Sequence, residues 1–316
     1  MQGTNLEQAR QFLMNDELVG IPTETVYGLA ANALNANAVA KIFEAKNRPT
    51  FDPLIVHTFS ASEILKYVLD FPVWAKKLAA EFWPGALTLL LPRNGSIPDI
   101  VTNGSELVGI RVPNHALTLE LLRSLPFPLA APSANPFGYI SPTTAQHVAD
   151  QLDNKIAYIL NGGACQIGLE STIVGIKDGN PAIFRTGGIA VEEIENVLGQ
   201  KLTILQSSSN PQAPGMLDSH YAPGKPLYLG SIEELVLKYP NKKIGAISYI
   251  YNYSYLLNIS IVLSPNKNMN EAACQLFAAL RSLDSSNVEI ILAEIFPNEG
   301  LGLAINDRLR RAASKR

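Results

Sequence analysis

Cysteine is nearly absent. Cys165 and Cys274 are the two in the chain and belong to no paired motif. That excludes a disulfide framework and a cysteine-type zinc site, and it fits a reducing compartment. Positive charge is not in excess either. The 25 Lys and Arg stand against 28 Asp and Glu, a net charge of -3, whereas a chain devoted to gripping a nucleic-acid backbone is usually basic. A local basic pocket is still compatible with that balance. No apolar run approaches the ~20 residues of a membrane span, and the longest candidate, Leu87 to Leu91, has the length of a strand. Met1 to Asn15 lacks the basic-then-apolar order of a secretory signal. These absences predict a soluble, cytoplasmic protein. Histidine is confined to His57, His115, His147 and His220. There is no Gly-x-x-x-x-Gly-Lys-[Ser/Thr] phosphate loop, no His-Glu-x-x-His and no Gly-x-Ser-x-Gly. An enzyme built from this chain works by positioning and electrostatics rather than through a nucleophilic triad.

What is present is a foldable α/β pattern. With 47% hydrophobic and 17% charged residues the chain buries a real core, and its 316 residues suit one large domain or two smaller ones. Periodicity predicts helices at Leu6–Asn15, Val39–Ala45, Ile64–Leu69, Val73–Phe82, Leu117–Leu125, Thr143–Leu152 and Val191–Leu198. Short apolar runs predict strands at Leu18–Ile21, Leu54–His57, Leu87–Leu91, Leu107–Val112, Leu129–Ala131 and Ile156–Leu160. Ser171–Ile176 and Ala182–Thr186 read as a hairpin around Asp178-Gly179-Asn180-Pro181. From Ser207 to Gly215 the composition becomes that of a linker. An α/β pattern then resumes, with strands at Leu227–Leu229, Lys243–Ser248 and Val288–Ala293 and helices at Asn270–Ser282 and Ala304–Ala313. The expected organisation is a large domain at 1–206, a linker at 207–224 and a smaller Rossmann-like α/β domain at 225–316. The smaller domain carries no Gly-x-Gly-x-x-Gly fingerprint.

Four blocks hold side chains able to do chemistry, and each has a plain structural alternative. In Ile21-Pro-Thr-Glu-Thr-Val-Tyr-Gly-Leu29, Glu24 could hold an ammonium, and Thr23 or Thr25 a carboxylate or hydroxyl. The alternative is a cap or hydroxyl turn. In Lys46-Asn-Arg-Pro-Thr-Phe-Asp-Pro-Leu54, an extended backbone would aim Lys46 and Arg48 the same way. Two fixed cations suit phosphate or bicarbonate, and Asp52 could pair with either one. The alternative is a solvated charged loop. In Ala130-Ala-Pro-Ser-Ala-Asn-Pro136, a rigid turn could present Ser133 and Asn135 to a nucleotide, or simply end a strand. In Gly109-Ile-Arg-Val-Pro113, Arg111 sits among apolar residues, so it needs either a partner or a bound anion.

Read in order, the blocks form a series. The stretches PTETVYGL at 22–29, KNRPTFDPL at 46–54, WPGALTLLL at 83–91, GIRVP at 109–113, APSAN at 131–135, GLESTIV at 168–174 and RTG at 185–187 resemble the YrdC-like family. HYAP at 220–223 and EGLGLAINDRLRRAA at 299–313 extend the resemblance to its two-domain members, the threonylcarbamoyl-AMP synthases. The resemblance implies a twisted mixed-sheet domain with a concave basic pocket. It implies an enzyme that joins L-threonine, bicarbonate and ATP into threonylcarbamoyl-adenylate with release of pyrophosphate, and passes the product to a tRNA threonylcarbamoyl-transfer complex. By the same resemblance Lys46 and Arg48 supply the phosphate and bicarbonate charge, and Thr25, His57, Arg111, Ala131 and Ser171 match the threonine pocket. Arg48, Asp52, Leu107, Ser133, Asn135, Ser141, Arg185 and Tyr221 match ATP contacts. Mg²⁺ would be held mainly by the ATP phosphates, so no metal-ligand set is expected in the protein. The linker departs from the family pattern: Leu217-Asp218-Ser219 replaces a stretch with two cations, which predicts looser pyrophosphate binding there. The rival readings are a non-catalytic YrdC-like module that binds RNA and a carbamoyl-transfer domain of the hydrogenase-maturation type. The slight acidity opposes the first, and the lack of zinc-finger-like cysteines opposes the second. Strong direct nucleic-acid binding is not expected.

Overall fold

The computed structural model describes residues 1–205, 214–215 and 220–314. The linker departure at 217–219 lies outside the described residues. No described helix is long and apolar enough to cross a membrane.

The first sheet has eleven strands: β1 (Gln2–Gly3), β2 (Val19–Ile21), β3 (Gly28–Asn32), β4 (Ile55–His57), β5 (Leu87–Pro92), β6 (Leu107–Arg111), β7 (Leu129–Ala130), β8 (Tyr158–Leu160), β9 (Thr172–Lys177), β10 (Asn180–Arg185) and β11 (Thr203–Ile204). Their order is β1-β8-β2-β3-β7-β4-β6-β5-β9-β10-β11. Parallel neighbours such as β4 with β6 alternate with antiparallel ones such as β5 with β6, so the sheet is mixed. β5 is apolar but for Thr88, whose hydroxyl bonds Ser171 Oγ, and every residue but its last is buried, as expected for a strand covered on both faces. The β9–β10 hairpin turns tightly on Asp178 and Gly179, both at positive φ (51° and 82°). Those are the left-handed angles that a two-residue turn between twisted strands requires.

A second sheet holds β12 (Leu227–Leu229), β13 (Ile244–Ser248), β14 (Ile259–Val262) and β15 (Ile290–Ala293) in the order β12-β15-β13-β14. All its pairings are parallel, the Rossmann-like arrangement that alternating strands and helices require. Sequence periodicity misses β1, β11, the one-turn helix Asp99–Thr102 and the 3₁₀ turn Asp153–Lys155, all too short to show a period, and three longer elements. β3 is built of Gly, Leu, Ala and Asn and lacks the β-branched residues that announce a strand. β14 and the helix Ile232–Lys238 follow turns too closely to stand out. The helix expected at Ile64–Leu69 is a shorter 3₁₀ turn, Glu63–Lys66.

The two sheets share a core. Leu276, Phe277 and Ala273, from the helix Met269–Ser285, pack in one cluster with Val26, Ile140, Leu169 and Tyr221. Gly168 marks the closest approach. It sits at φ 75°, and a Cβ there would lie 2.5 Å from the Cys274 carbonyl oxygen. Arg281 reinforces the contact by donating to the Ser141 and Ile140 carbonyls and to Gln151 Oε1. The second domain is thereby seated directly behind the blocks singled out in the sequence.

Candidate active site

The strands β3, β4, β6, β7 and β9 deliver the conserved-looking blocks to one cleft of about 540 Å³, its open mouth included. Thr25, Arg48, His57, Arg111, Ala131, Ser133, Ser171, Arg185 and Tyr221 all line it. Lys46, Asp52, Asn135 and Ser141 are buried behind the wall, and Leu107 lines a smaller neighbouring pocket that shares Ile55 and Pro214 with the first.

The hydroxyl block is both a turn and a wall. Thr23 Oγ1 accepts from the Thr25 and Val26 amides and donates to the Val26 carbonyl at 2.6 Å, so Thr23 is spent on its own backbone. Thr25 Oγ1 accepts from Arg111 Nη1 at 2.9 Å. Arg111 Nη2 lies 2.7 Å from Glu24 Oε1, and its Nε donates to the Gly85 carbonyl. The partner that a cation among apolar residues needs is therefore Glu24, and Arg111 fixes the Thr25 hydroxyl at the cleft.

The Lys46–Arg48 pair is not extended, which corrects the reading that both cations aim the same way. The helix Ala36–Lys46 runs to Lys46, and Asn47 caps it in the left-handed conformation at φ 50°. Lys46 Nζ turns inward and donates to the Ser133 and Asn135 carbonyls, each at 2.5 Å. Burial, aided by Arg48, pushes its pKa well below the usual lysine value. Arg48 turns the other way and pairs with Asp52 at 2.9 Å. It also donates to the Asp52 and Pro53 carbonyls. Burial outweighs that pairing, so the Asp52 carboxyl is raised above its ordinary value. Asn135 uses its amide on the Pro136 and Tyr139 carbonyls, which shapes the turn that presents Ser133.

Arg185 closes one side. Its Nε and Nη2 both reach the Ser171 carbonyl, Nη2 also reaches Ser171 Oγ at 3.1 Å, and Nη1 donates to the Pro214 carbonyl. Tyr221 lies across the cleft, stacked on Phe277 at 5.5 Å. Burial raises its hydroxyl to about 12. His57 Nδ1 contacts the Ile55 carbonyl at 3.3 Å. Burial, with Arg111 beside it, lowers its pKa to about 3. His220 is buried beside Tyr221, and its Nδ1 has no hydrogen-bond partner among the described residues. Burial and the surrounding arginines hold it neutral as well.

Two polar cleft residues, Glu170 and His220, received no role in the reading of the motifs. Glu170 lines the wall, although the block GLESTIV drew attention only to Ser171. The signal was there, since a carboxylate between Leu169 and Ser171 at a buried strand entrance needs partners. Ser141 lies behind it and donates to Glu170 Oε1 at 2.6 Å. Among the described residues no group of three His, Cys, Asp or Glu side chains is placed to hold a metal ion. What the cleft offers is arginine guanidinium, hydroxyls and neutral imidazole, a set suited to anions and to a small polar molecule.

Comparison with known proteins agrees with that chemistry. Residues 11–187 match the Sua5/YciO/YrdC family model, described as telomere recombination. Residues 189–314 match the model of the threonylcarbamoyl-AMP synthase C-terminal domain. A threonylcarbamoyl-AMP synthase from Pyrococcus abyssi is 41% identical across 98% of this chain and 94% of its own length. One from Bacillus subtilis is 42% identical across 98% and 93%. The crystal structure of P. abyssi Sua5 complexed with L-threonine superposes with a TM-score of 0.92 at 40% identity, covering 98% of this chain and 94% of that one.

Proposed function

The chain belongs to the two-domain threonylcarbamoyl-AMP synthase family, and from that premise we propose how its cleft makes threonylcarbamoyl-AMP. The substrates are L-threonine, bicarbonate and ATP. The threonine amine adds to the carbon of bicarbonate, whose C–OH bond breaks with loss of water, or to CO2 with loss of a proton, giving in either case a carbamate. A carbamate oxygen attacks the α-phosphorus of ATP, the bond to the β-phosphate bridge breaks, and pyrophosphate leaves. No protein nucleophile is required. The product is then consumed by a tRNA threonylcarbamoyl-transfer complex.

Threonine lies against Thr25, His57, Ala131 and Ser171, where the Arg111–Thr25 contact holds one hydroxyl in place. Neutral His57 contributes a polar edge without adding a charge there. The triphosphate lies along Arg48, Ser133 and Arg185, with Tyr221 above it. Lys46 and Asn135 hold the Ser133 turn rather than the phosphate. Preorganised cations of this kind stabilise charge as it moves from the carbamate to pyrophosphate. Mg²⁺ would be held mainly by the triphosphate oxygens rather than by protein side chains, and would offset part of their charge. The observation that carries the reading is the convergence of Thr25, Arg48, Arg111, Ser171 and Arg185 on one cleft in a fold shared with a threonine-bound relative.

The test is ATP-dependent pyrophosphate release by the purified chain with Mg²⁺, leaving out threonine and bicarbonate in turn. Release should require both. It should fall by about 100-fold, as losses of preorganised charge do, in a variant carrying Arg48→Met and Asp52→Asn together, which removes a charge pair without stranding a buried carboxylate. A folded protein that releases nothing but binds RNA in a salt-dependent way would replace this reading with the RNA-binding one.

A further inference from the structure

Glu170 is an anomaly in a cleft built for phosphates. Its side chain is 7% exposed and faces the cleft, on the same wall as Arg185. A bare carboxylate there would repel a polyphosphate across a few ångströms of low dielectric. Two donors engage it from behind. Ser141 Oγ donates to Oε1, and Arg308 Nε donates to Oε2 at 2.9 Å. Arg308 comes from the helix Gly302–Ala313 of the second domain and is fully buried. Its Nη2 donates to the Thr186 carbonyl, next to Arg185, at 2.8 Å. Its guanidinium also lies over the Tyr221 ring, 5.1 Å from the centroid. One side chain of the second domain thus contacts three parts of the cleft wall.

We propose that Arg308 is a positioning residue that cancels the charge of Glu170 in the cleft wall and so makes the site selective for a polyphosphate nucleotide. This rests on the synthase reading above. Burial alone would raise the Glu170 carboxyl, but Arg308 and Arg185 overcome it and hold the group below its ordinary value, ionised. The charge is real, then, and must be answered locally. Asp307 is not the group that would be stranded without Arg308, because Arg311 also holds it through Nε at 3.0 Å. Glu170 is. With Arg308 gone, the nearest remaining cation is Arg185, which would be drawn onto Glu170 and away from phosphate. Threonine lies mainly by Thr25, His57 and Ala131 and meets this wall only at Ser171, so it feels less of the change than the phosphates do.

The experiment compares steady-state kinetics of the full chain with Arg308→Met, Glu170→Gln, the double variant and Arg308→Lys, with ligand-free melting curves for each. Arg308→Met should raise the KM for ATP by at least about 30-fold, as loss of one member of a buried charge pair does. The KM for threonine should rise less than that for ATP, since of its proposed contacts only Ser171 adjoins Glu170. Adding Glu170→Gln to Arg308→Met should restore the ATP KM to within about fivefold of the starting value, because no buried charge is then left unanswered. A merely structural role for Arg308 predicts that both KM values move together and track the melting temperature, since a stranded buried carboxylate then acts only through the fold. Rescue supports the proposal. A folded double variant no better than Arg308→Met, or equal rises in the ATP and threonine KM values, overturns it. If Arg308→Met does not fold, Arg308→Lys decides. It keeps the charge but not the planar fork, so an ATP KM near that of the unaltered chain supports charge cancellation and a large rise refutes it. Failure of the synthase reading would look different, as an unaltered chain that makes no product.

Discussion

Lys46→Met separates two roles for a lysine in the middle of a nucleotide-site motif. The ammonium is 1% exposed and donates to the Ser133 and Asn135 carbonyls. Methionine fills similar space and donates nothing. A hydrogen bond from a charged donor contributes about 1.5–3 kcal/mol, and a buried carbonyl left bare costs about 1–3 kcal/mol. Two carbonyls lose their donor here. Relief from burying an ammonium offsets part of the loss, which leaves about 3 kcal/mol of destabilisation. For a domain of this size that lowers the melting temperature by about 6–12 °C. The assay is thermal unfolding of the ligand-free protein by circular dichroism, followed by ATP KM on the folded fraction. The turn carrying Ser133 slackens, so the ATP KM rises too, but only along with the loss of stability. If the ammonium instead served phosphate directly, the ligand-free protein would lose nothing and could gain from shedding a buried charge. A melting temperature within about 1 °C of the parent, or above it, would refute the loop-tie account.

Other expectations follow from the same contacts. Gly168→Ala places a methyl group against the Cys274 backbone at a positive φ, so it should cost more than about 3 kcal/mol and make the junction between the two domains susceptible to limited proteolysis. His57 is held at about 3, below its ordinary 6.5. The unfolded chain therefore takes up its proton first as pH falls, and stability present above about 6.5 is lost progressively toward 3. At pH 5 the loss is about 2 kcal/mol. His57→Gln should accordingly flatten the fall in melting temperature between pH 7 and pH 5 by about 4–8 °C; equal slopes in the two proteins would remove His57 from the account. Arg185→Lys keeps the charge but loses the fork that grips Ser171 and Pro214 at once. Its kcat/KM for ATP should drop about 10- to 100-fold, and its melting temperature should fall as well, because lysine cannot serve the Ser171 and Pro214 carbonyls together.

How much of this was legible in the sequence depended on whether the decisive contact was local. β5 announced itself because a strand covered on both faces is rich in apolar residues, four leucines here with Thr88 among them, and the β9–β10 turn did so because Asp-Gly is chemically suited to left-handed angles. Helix starts were less readable: Asn35 and Asn268 cap helices that begin at Ala36 and Met269, one to three residues before the expected Val39 and Asn270. β3 was not legible, since its small residues follow no strand propensity and are held instead by pairing with β2 and β7. The site divides the same way. Motif order brought Thr25, His57, Arg111, Ser133, Ser171 and Arg185 to notice, and they share a cleft. Which way each side chain points was set by partners far along the chain. Lys46 finds its carbonyls 87 and 89 residues away, and Glu170 finds Arg308 at a separation of 138. No spacing rule reaches that distance.

That distance also explains why the overall charge says little about the ligand. The chain is slightly acidic, yet its cleft is cationic, because the carboxylates near the cleft are already matched. Asp52 answers Arg48, Glu24 answers Arg111, and Glu170 answers Arg308. Among the cations described around the cleft, Lys46 and Arg185 have no carboxylate in contact and rest on carbonyl oxygens and a hydroxyl. Lys46 is sealed behind the wall, whereas Arg185 faces the cleft. An incoming anion therefore meets one guanidinium whose charge is only dipole-compensated, and others whose charge it must share with a carboxylate. The triphosphate should be anchored at Arg185 and merely guided by Arg48 and Arg111, because displacing a buried ion pair costs more than displacing a carbonyl contact. The same reasoning places the strongest hold on phosphate at the side of the cleft where Pro214, Tyr221 and the second domain converge.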